Sequence, residues 1–186
     1  DSVVKSALFA VMLKLLHGSG WLHSVKAWIA ISDFMRDLII ESGVPANQVH
    51  SLRHSWDAMP EAPPYRDAGY YLFLGRLVEP KGIAPMLAAW EKLHQHLGPQ
   101  TPVLHIAGEG PLEALVRQHA ASNPCVQYLG MISGETKHKA LTSCRALLVP
   151  SVWWEPMGLV VYEAYDFAKP VLAARSGGIT EAVQPG

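Results

Sequence analysis

The sequence predicts an α/β fold: a parallel sheet with helices on both faces. Three observations point there. From Tyr70 onward, short apolar runs alternate with longer segments of helical pattern, the rhythm of βαβ units. Runs such as Ala146–Val149 show no polar alternation, as expected of strands covered on both faces. Glycine-containing stretches follow the strand positions, and ligands in such sheets bind beyond the carboxyl ends of the strands.

The elements follow in order. Residues 1–17 read as a helix ended by Gly18 and Gly20. The apolar run at 7–16 is interrupted by Lys14 and falls well short of the roughly 20 residues that span a bilayer. No clean small-residue cleavage site follows it, which makes it a poor fit to a signal peptide; a helix packed on a further domain is expected, with an amphipathic surface helix touching lipid as the alternative. A strand at 26–31 comes next, then Ser32 as N-cap of a helix over 33–41 closed by Gly43, then a strand at 49–52. Pro60, Pro63 and Pro64 mark a linker over 53–69. Strands are expected at 70–74, 103–107, 126–129, 146–149 and 171–173. Helices are expected at 82–97, 111–121, 135–142, 157–167 and from 178. The result is a Rossmann-like parallel sheet.

Composition narrows the function. Hydrophobic residues make up 49% and charged residues 17%, which predicts a packed core rather than disorder. A net charge of −1 offers no general grip on nucleic acid, and none is expected as a partner. Cys125 and Cys144 lack CxxC spacing and read as buried thiols in a reducing, cytoplasmic compartment. The histidines show no metal-ligand spacing, with His94 and His96 on different helix faces and His105 in a core strand, and no D-x-D occurs, so no metal or cofactor is expected.

The stretch PSVWWEPMGLVVYEAYDFAKPV (150–171) concentrates the chemistry. It reads as a strand end, a loop, and a helix beginning at Met157 and Gly158. The amides of Met157, Gly158, Leu159 and Val160 lack acceptors in a first helical turn and form an anion site with the helix dipole, and Gly158 admits a phosphate to the backbone. Glu155 and Glu163 beside such a site suit acceptance of hydroxyl hydrogen bonds from a ribose or sugar ring. Apolar neighbours predict that this helix is mostly buried, and core packing is the expected use of Trp153 and Trp154. In GRLVEPKG (75–82), Arg76 and Lys81 flank a turn and both reach one pocket, where two cations neutralise a diphosphate. GEGP (108–111) opens a helix, but Glu113 stands where a dinucleotide fingerprint needs its third glycine, which disfavours a nicotinamide enzyme. SGGITEA (176–182) is a second glycine-rich helix start, read as structural.

These motifs, in this order from about residue 26 to 186, resemble the "group 1" family of retaining glycosyltransferases, which have the GT-B fold. The resemblance implies a nucleotide-sugar donor as substrate and a sugar, lipid or protein acceptor. It implies that Arg76 and Lys81 bind the donor diphosphate, Glu155 contacts the donor sugar near the reacting carbon, and Glu163 holds the ribose hydroxyls. Gly75, Gly108 and Gly110 line the nucleotide side, with Met131 in the loop near the base. Met157 stands where the family usually has an aromatic, and RHSWD (53–57) where it has an Asn-Gly turn. By the same resemblance, 1–52 is the remnant of an N-terminal acceptor-side domain and 70–186 a truncated donor-binding domain, so the chain is incomplete at both ends and inactive alone. Membrane contact would be peripheral, at the cytoplasmic face, through the missing domain. The alternatives are a non-catalytic nucleotide-sugar-binding module and a GT-B epimerase or phosphorylase.

Overall fold

A computed structural model describes residues 3–20, 24–57 and 61–183. Residues 1 and 2 of the first expected helix, Pro60 of the linker, and 184–186 lie outside the described residues. The chain divides into two compact units, Asp1–His54 and Ser55–Gly186.

In the first unit, α1 (Val3–Gly18) precedes β1 (Trp28–Ala30), α2 (Asp33–Glu41) and β2 (Val49–Ser51). None of the α1 residues is buried. The strands pair in parallel, Ala30 beside Ser51. Ser32 caps α2 as its sequence position suggests: its hydroxyl oxygen accepts from the Met35 amide at 3.2 Å. Gly43, at φ 101°, turns the chain out of the helix.

The second unit holds β3 (Tyr70–Leu74), α3 (Ile83–Leu97), β4 (Val103–Ala107), α4 (Glu113–Ser122), β5 (Val126–Gly130), α5 (Gly134–Ser143), β6 (Ala146–Val149), α6 (Leu159–Asp166), β7 (Val171–Ala173) and α7 (Ile179–Ala182). All five strands are parallel, in the order β5-β4-β3-β6-β7. The chain winds outward from β3 in one direction and then from β6 in the other. The crevice beyond the carboxyl ends of β3 and β6 is therefore the topological switch point, where ligands bind in open α/β sheets.

Strand periodicity builds two cores. Tyr70, Leu72, Leu147 and Val149 pack with Leu141 of α5, Val161 and Ala164 of α6, and Ile179 of α7. Phe73 and Leu148 point the other way, against Ile83, Leu87 and Trp90 of α3 and Val116 of α4. Cys125 and Cys144 are buried and unbridged. His105 is half-buried; its ring stacks on Tyr70 at 4.0 Å, and burial holds its pKa below the usual value.

Two helices start two residues later than expected. Helix α4 begins at Glu113 because 110–112 form a turn, with the Glu113 amide donating to Gly110 O at 3.0 Å. Helix α6 begins at Leu159 because Gly158 is left-handed (φ 78°) and lies outside helical geometry. Nor is α6 mostly buried: Val161 and Ala164 reach the core, while Leu159 and Tyr165 are exposed. Residues 55–69 follow the second unit, where the Trp56 indole N–H donates to Asp166 Oδ2 at 2.9 Å and its ring lies 5.9 Å from Tyr162.

Candidate functional site

The loops after β3 and β4 are stitched together by backbone hydrogen bonds. The Gly75 amide donates to Ala107 O, Leu77 to Glu109 O and Leu112 to Leu77 O, at 2.8–3.1 Å. The approach is so close that a Cβ on Gly108 would lie 1.8 Å from Gly75 O, and one on Gly110 2.6 Å from Leu77 O. These glycines are thus required by chain crossing. The Tyr128 hydroxyl steadies the same crossing by donating to Gly108 O at 2.8 Å, and burial raises its pKa.

Above this crossing lies a cavity of about 320 Å³, walled by β3, β4, α5, α6 and the loops between them. Gly75, Arg76, Gly108, Met131, Val160 and Glu163, all singled out from the sequence, line it together. So do Glu109 and Lys137, which the sequence reading did not select. Lys137 Nζ lies 2.7 Å from Glu163 Oε2. The floor is apolar, from Leu74, Ala107 and Ile132. An apolar floor with a few convergent charges is the usual make-up of a small-molecule site.

Lys81 and Glu155 form a second centre. Their side chains are ion-paired and mostly buried, and the Ser151 hydroxyl donates to the same Glu155 oxygen at 2.7 Å. Gly82 makes the pairing geometry reachable. It is left-handed (φ 72°), and a Cβ there would lie 1.9 Å from Pro150 O, so the loop carrying Lys81 sits directly on the loop carrying Glu155. The Val152 amide donates to Pro80 O at 3.0 Å and closes the contact.

Arg76 and Lys81 thus do not line one cavity: Arg76 faces the pocket and Lys81 faces Glu155. Only four residues separate them, but Lys81 lies in the 3-10 turn Glu79–Lys81, which redirects the chain. Gly110, Met157, Gly158 and Leu159 are outside the cavity wall. Met157 is buried, and a Cβ on Gly158 would lie 3.1 Å from Ile179, so the space that glycine vacates is filled by Ile179. The first intrahelical bond of α6 runs from the Val161 amide to Gly158 O at 2.9 Å. The amides of Leu159 and Val160 precede it and have no acceptor within the helix.

Trp153 and Trp154 are exposed, not packed in the core. Their loop is pinned from below through its backbone. The Ser176 hydroxyl donates to Trp153 O, the Gly178 amide donates to Glu155 O at 2.7 Å, and Gly177 sits so close that a Cβ would lie 2.4 Å from Glu155 O. With the loop's inner side occupied by the 176–178 turn, the indoles turn outward. The glycine-rich start at 176 is therefore a buttress for the Glu155 loop.

A family profile described as "Glycosyl transferases group 1" matches residues 68–186. The chain belongs to the group 1 glycosyl transferases. It is 34% identical over 122 residues to an uncharacterized glycosyltransferase of Methanocaldococcus jannaschii, covering 63% of this chain and 30% of that one. It is 28% identical over 184 residues to the alpha-maltose-1-phosphate synthase of Mycolicibacterium smegmatis, covering 86% and 46%. Among solved structures, the Anabaena protein HepE in complex with UDP and glucose superposes with a TM-score of 0.68 at 20% identity, covering 87% of this chain and 47% of that one. TarM gives 0.71 at 19%, covering 86% and 32%. The chain thus spans less than half the length of these relatives, and the structural likeness establishes the GT-B type of fold.

Sequence reasoning passed over Lys137 and Ser151, and took Ser176 only as part of the structural stretch 176–182. Each carried a faint signal. Lys137 follows a loop at a strand's carboxyl end, Ser151 is the polar residue two places beyond an all-apolar strand, and Ser176 precedes two glycines. No group of three or more metal-ligating side chains gathers among the described residues. No described helix is long and apolar enough to cross a membrane.

Proposed function

We propose that this chain is the donor-side part of a retaining glycosyltransferase and binds the nucleoside diphosphate of a nucleotide sugar at the β3/β6 switch point. The observation that carries the reading is the cavity shared by Arg76 from the loop after β3, Met131 from the loop after β5, and Val160 and Glu163 from α6. In this reading Glu163 accepts hydrogen bonds from the ribose hydroxyls and the loop around Met131 lies beside the base. Arg76, with the amides of Leu159 and Val160, meets the diphosphate.

Lys81 and Glu155 serve the reacting end. An ammonium carries three donors, so Lys81 can hold Glu155 and still have donors left for the phosphate oxygen of a nucleotide sugar whose sugar end extends out of the cavity. When the bond between the sugar's anomeric carbon and the diphosphate breaks, its electron pair passes to the phosphate oxygen. Arg76 and Lys81 stabilise the charge that grows there. Glu155, oriented by Lys81 and Ser151, accepts from donor-sugar hydroxyls beside that carbon. The acceptor hydroxyl then adds on the face the diphosphate left, and its proton leaves with the departing phosphate. The nucleotide sugar is a substrate in this scheme, no resident cofactor takes part, and the acceptor is a sugar, lipid or protein handled by parts of the protein beyond this chain.

Titration calorimetry with UDP and GDP tests the reading. One of them binds the wild-type chain, and Glu163→Gln weakens it about 10-fold or more, because a hydrogen bond to a charged group is worth ~1.5–3 kcal/mol. Binding of neither nucleotide would overturn the donor-site assignment.

A further inference from the structure

We propose that Lys137 is a positioning residue that fixes the Glu163 carboxylate for recognition of a vicinal diol, and so sets selectivity for ribose over deoxyribose in the nucleotide. This rests on the nucleotide-binding reading of the cavity and names a residue which that reading does not use.

The pair is built differently from the other lysine pair on the same helix. Lys139 meets Glu135 one turn away, with both side chains mostly exposed, 75% and 82%. Such pairs contribute little. Lys137 reaches across from α5 to Glu163 on α6, with side-chain exposures of 30% and 27%, and both residues line the cavity. Helix α5 is anchored beneath by Ala140 and Leu141, and α6 by Val161 and Ala164, so neither end of the bridge is free to drift.

The geometry divides the carboxylate's capacity. An ionised carboxylate has two oxygens and about four lone-pair sites. The ammonium engages Oε2 at 2.7 Å, which leaves Oε1 and the second lone pair of Oε2 for incoming hydroxyls. Two adjacent hydroxyls need both oxygens presented together. A lone hydroxyl needs one, and finds it at many orientations of the side chain. Holding the carboxylate in one orientation therefore rewards the diol specifically, because the ordering has already been done before the ligand arrives. Arg76 supplies a second positive charge to the same cavity, but no hydrogen bond ties it to Glu163 among those described.

The test compares UDP and GDP with their 2′-deoxy counterparts on the whole chain by titration calorimetry. The wild type should prefer the ribonucleotide about 10-fold. Lys137→Met keeps most of the side chain's apolar stem and removes its charge; the preference should fall to about 2-fold or less, and Lys137→Arg should restore most of it. In a Glu163→Gln background, Lys137→Met should add little further loss, since the two act as one unit. Melting temperatures establish that each variant is folded, and Lys137→Gln replaces Lys137→Met if the latter is not. Equal weakening of both nucleotides in Lys137→Met, with the preference intact, would overturn the proposal and make Lys137 a general phosphate attractant. An unchanged profile would overturn it too. Failure of wild type to bind either ribonucleotide would instead remove the donor-site reading itself.

Discussion

Glu155 and Glu163 are separated by seven intervening positions, yet they have different partners and different surroundings. Glu155, itself mostly buried, is held by Lys81 and Ser151 where two loops meet, and Glu163 by Lys137 at a cavity wall. Removing Ser151's hydroxyl (Ser151→Ala) should leave nucleotide affinity within about 2-fold and lower turnover of the complete enzyme about 10-fold, the worth of one hydrogen bond to a charged group. A donor-hydrolysis or transfer assay reads it. His105 and Cys144 report on packing instead. Burial depresses the His105 pKa below 6.5, so below that pH the unfolded chain binds more protons than the folded one. Its stabilising contribution is complete above pH 6.5 and is lost as the pH falls through the depressed value. The melting temperature should decline with acidification, and His105→Phe should flatten that slope. Burial raises the Cys144 thiol to about 11, so iodoacetamide at pH 8 should modify it only on unfolding, as mass spectrometry would show.

Loop crossings, as well as the helices, hold the site elements in place. Gly82 lies against Pro150, Gly108 against Gly75, and Gly177 against Glu155. Each brings two strand-end loops closer than any side chain permits, at a left-handed or otherwise glycine-only conformation. Gly82→Ala should cost about 1–3 kcal/mol for the backbone conformation alone, and more for displacing Pro150. Thermal unfolding would show the loss, and because the Lys81 and Glu155 loops separate, turnover of the complete enzyme should fall further than stability explains. Gly43→Ala makes the control. Its φ is also positive, but no atom lies within 4 Å of the added Cβ, so only the conformational penalty applies.

The cavity is walled entirely by the unit Ser55–Gly186. That unit carries both core clusters and the full five-stranded sheet. A chain of residues 55–186 should therefore fold and bind nucleotide within about 3-fold of the longer chain, the error of added independent contributions. Circular dichroism and calorimetry check it. A loss of nucleotide binding in a folded 55–186 chain would mean that residues before Ser55 shape the pocket. Trp56 belongs with this unit, and Trp56→Ala should loosen residues 61–69 toward proteolysis by removing its bond to Asp166 and its packing on Tyr162.

Element type and order were legible along the chain because they follow from local chemistry. The apolar run Ala146–Val149 is a buried strand and Ser32 caps a helix, both as their local sequence dictates. The glycosyltransferase motifs were legible for the same reason, as short patterns of glycine, cation and carboxylate. Partnership was not. Lys137 and Glu163 are 26 positions apart and Lys81 and Glu155 74, and nothing within either neighbourhood names the other. The outward turn of Trp153 and Trp154 was equally hidden, since an apolar pair reads as core until the 176–178 turn is seen to fill the space beneath it. Backbone propensity and apolar periodicity act over a few residues and are written in composition. Which charges meet is set by sheet order and loop crossing, which exist only once distant segments have packed.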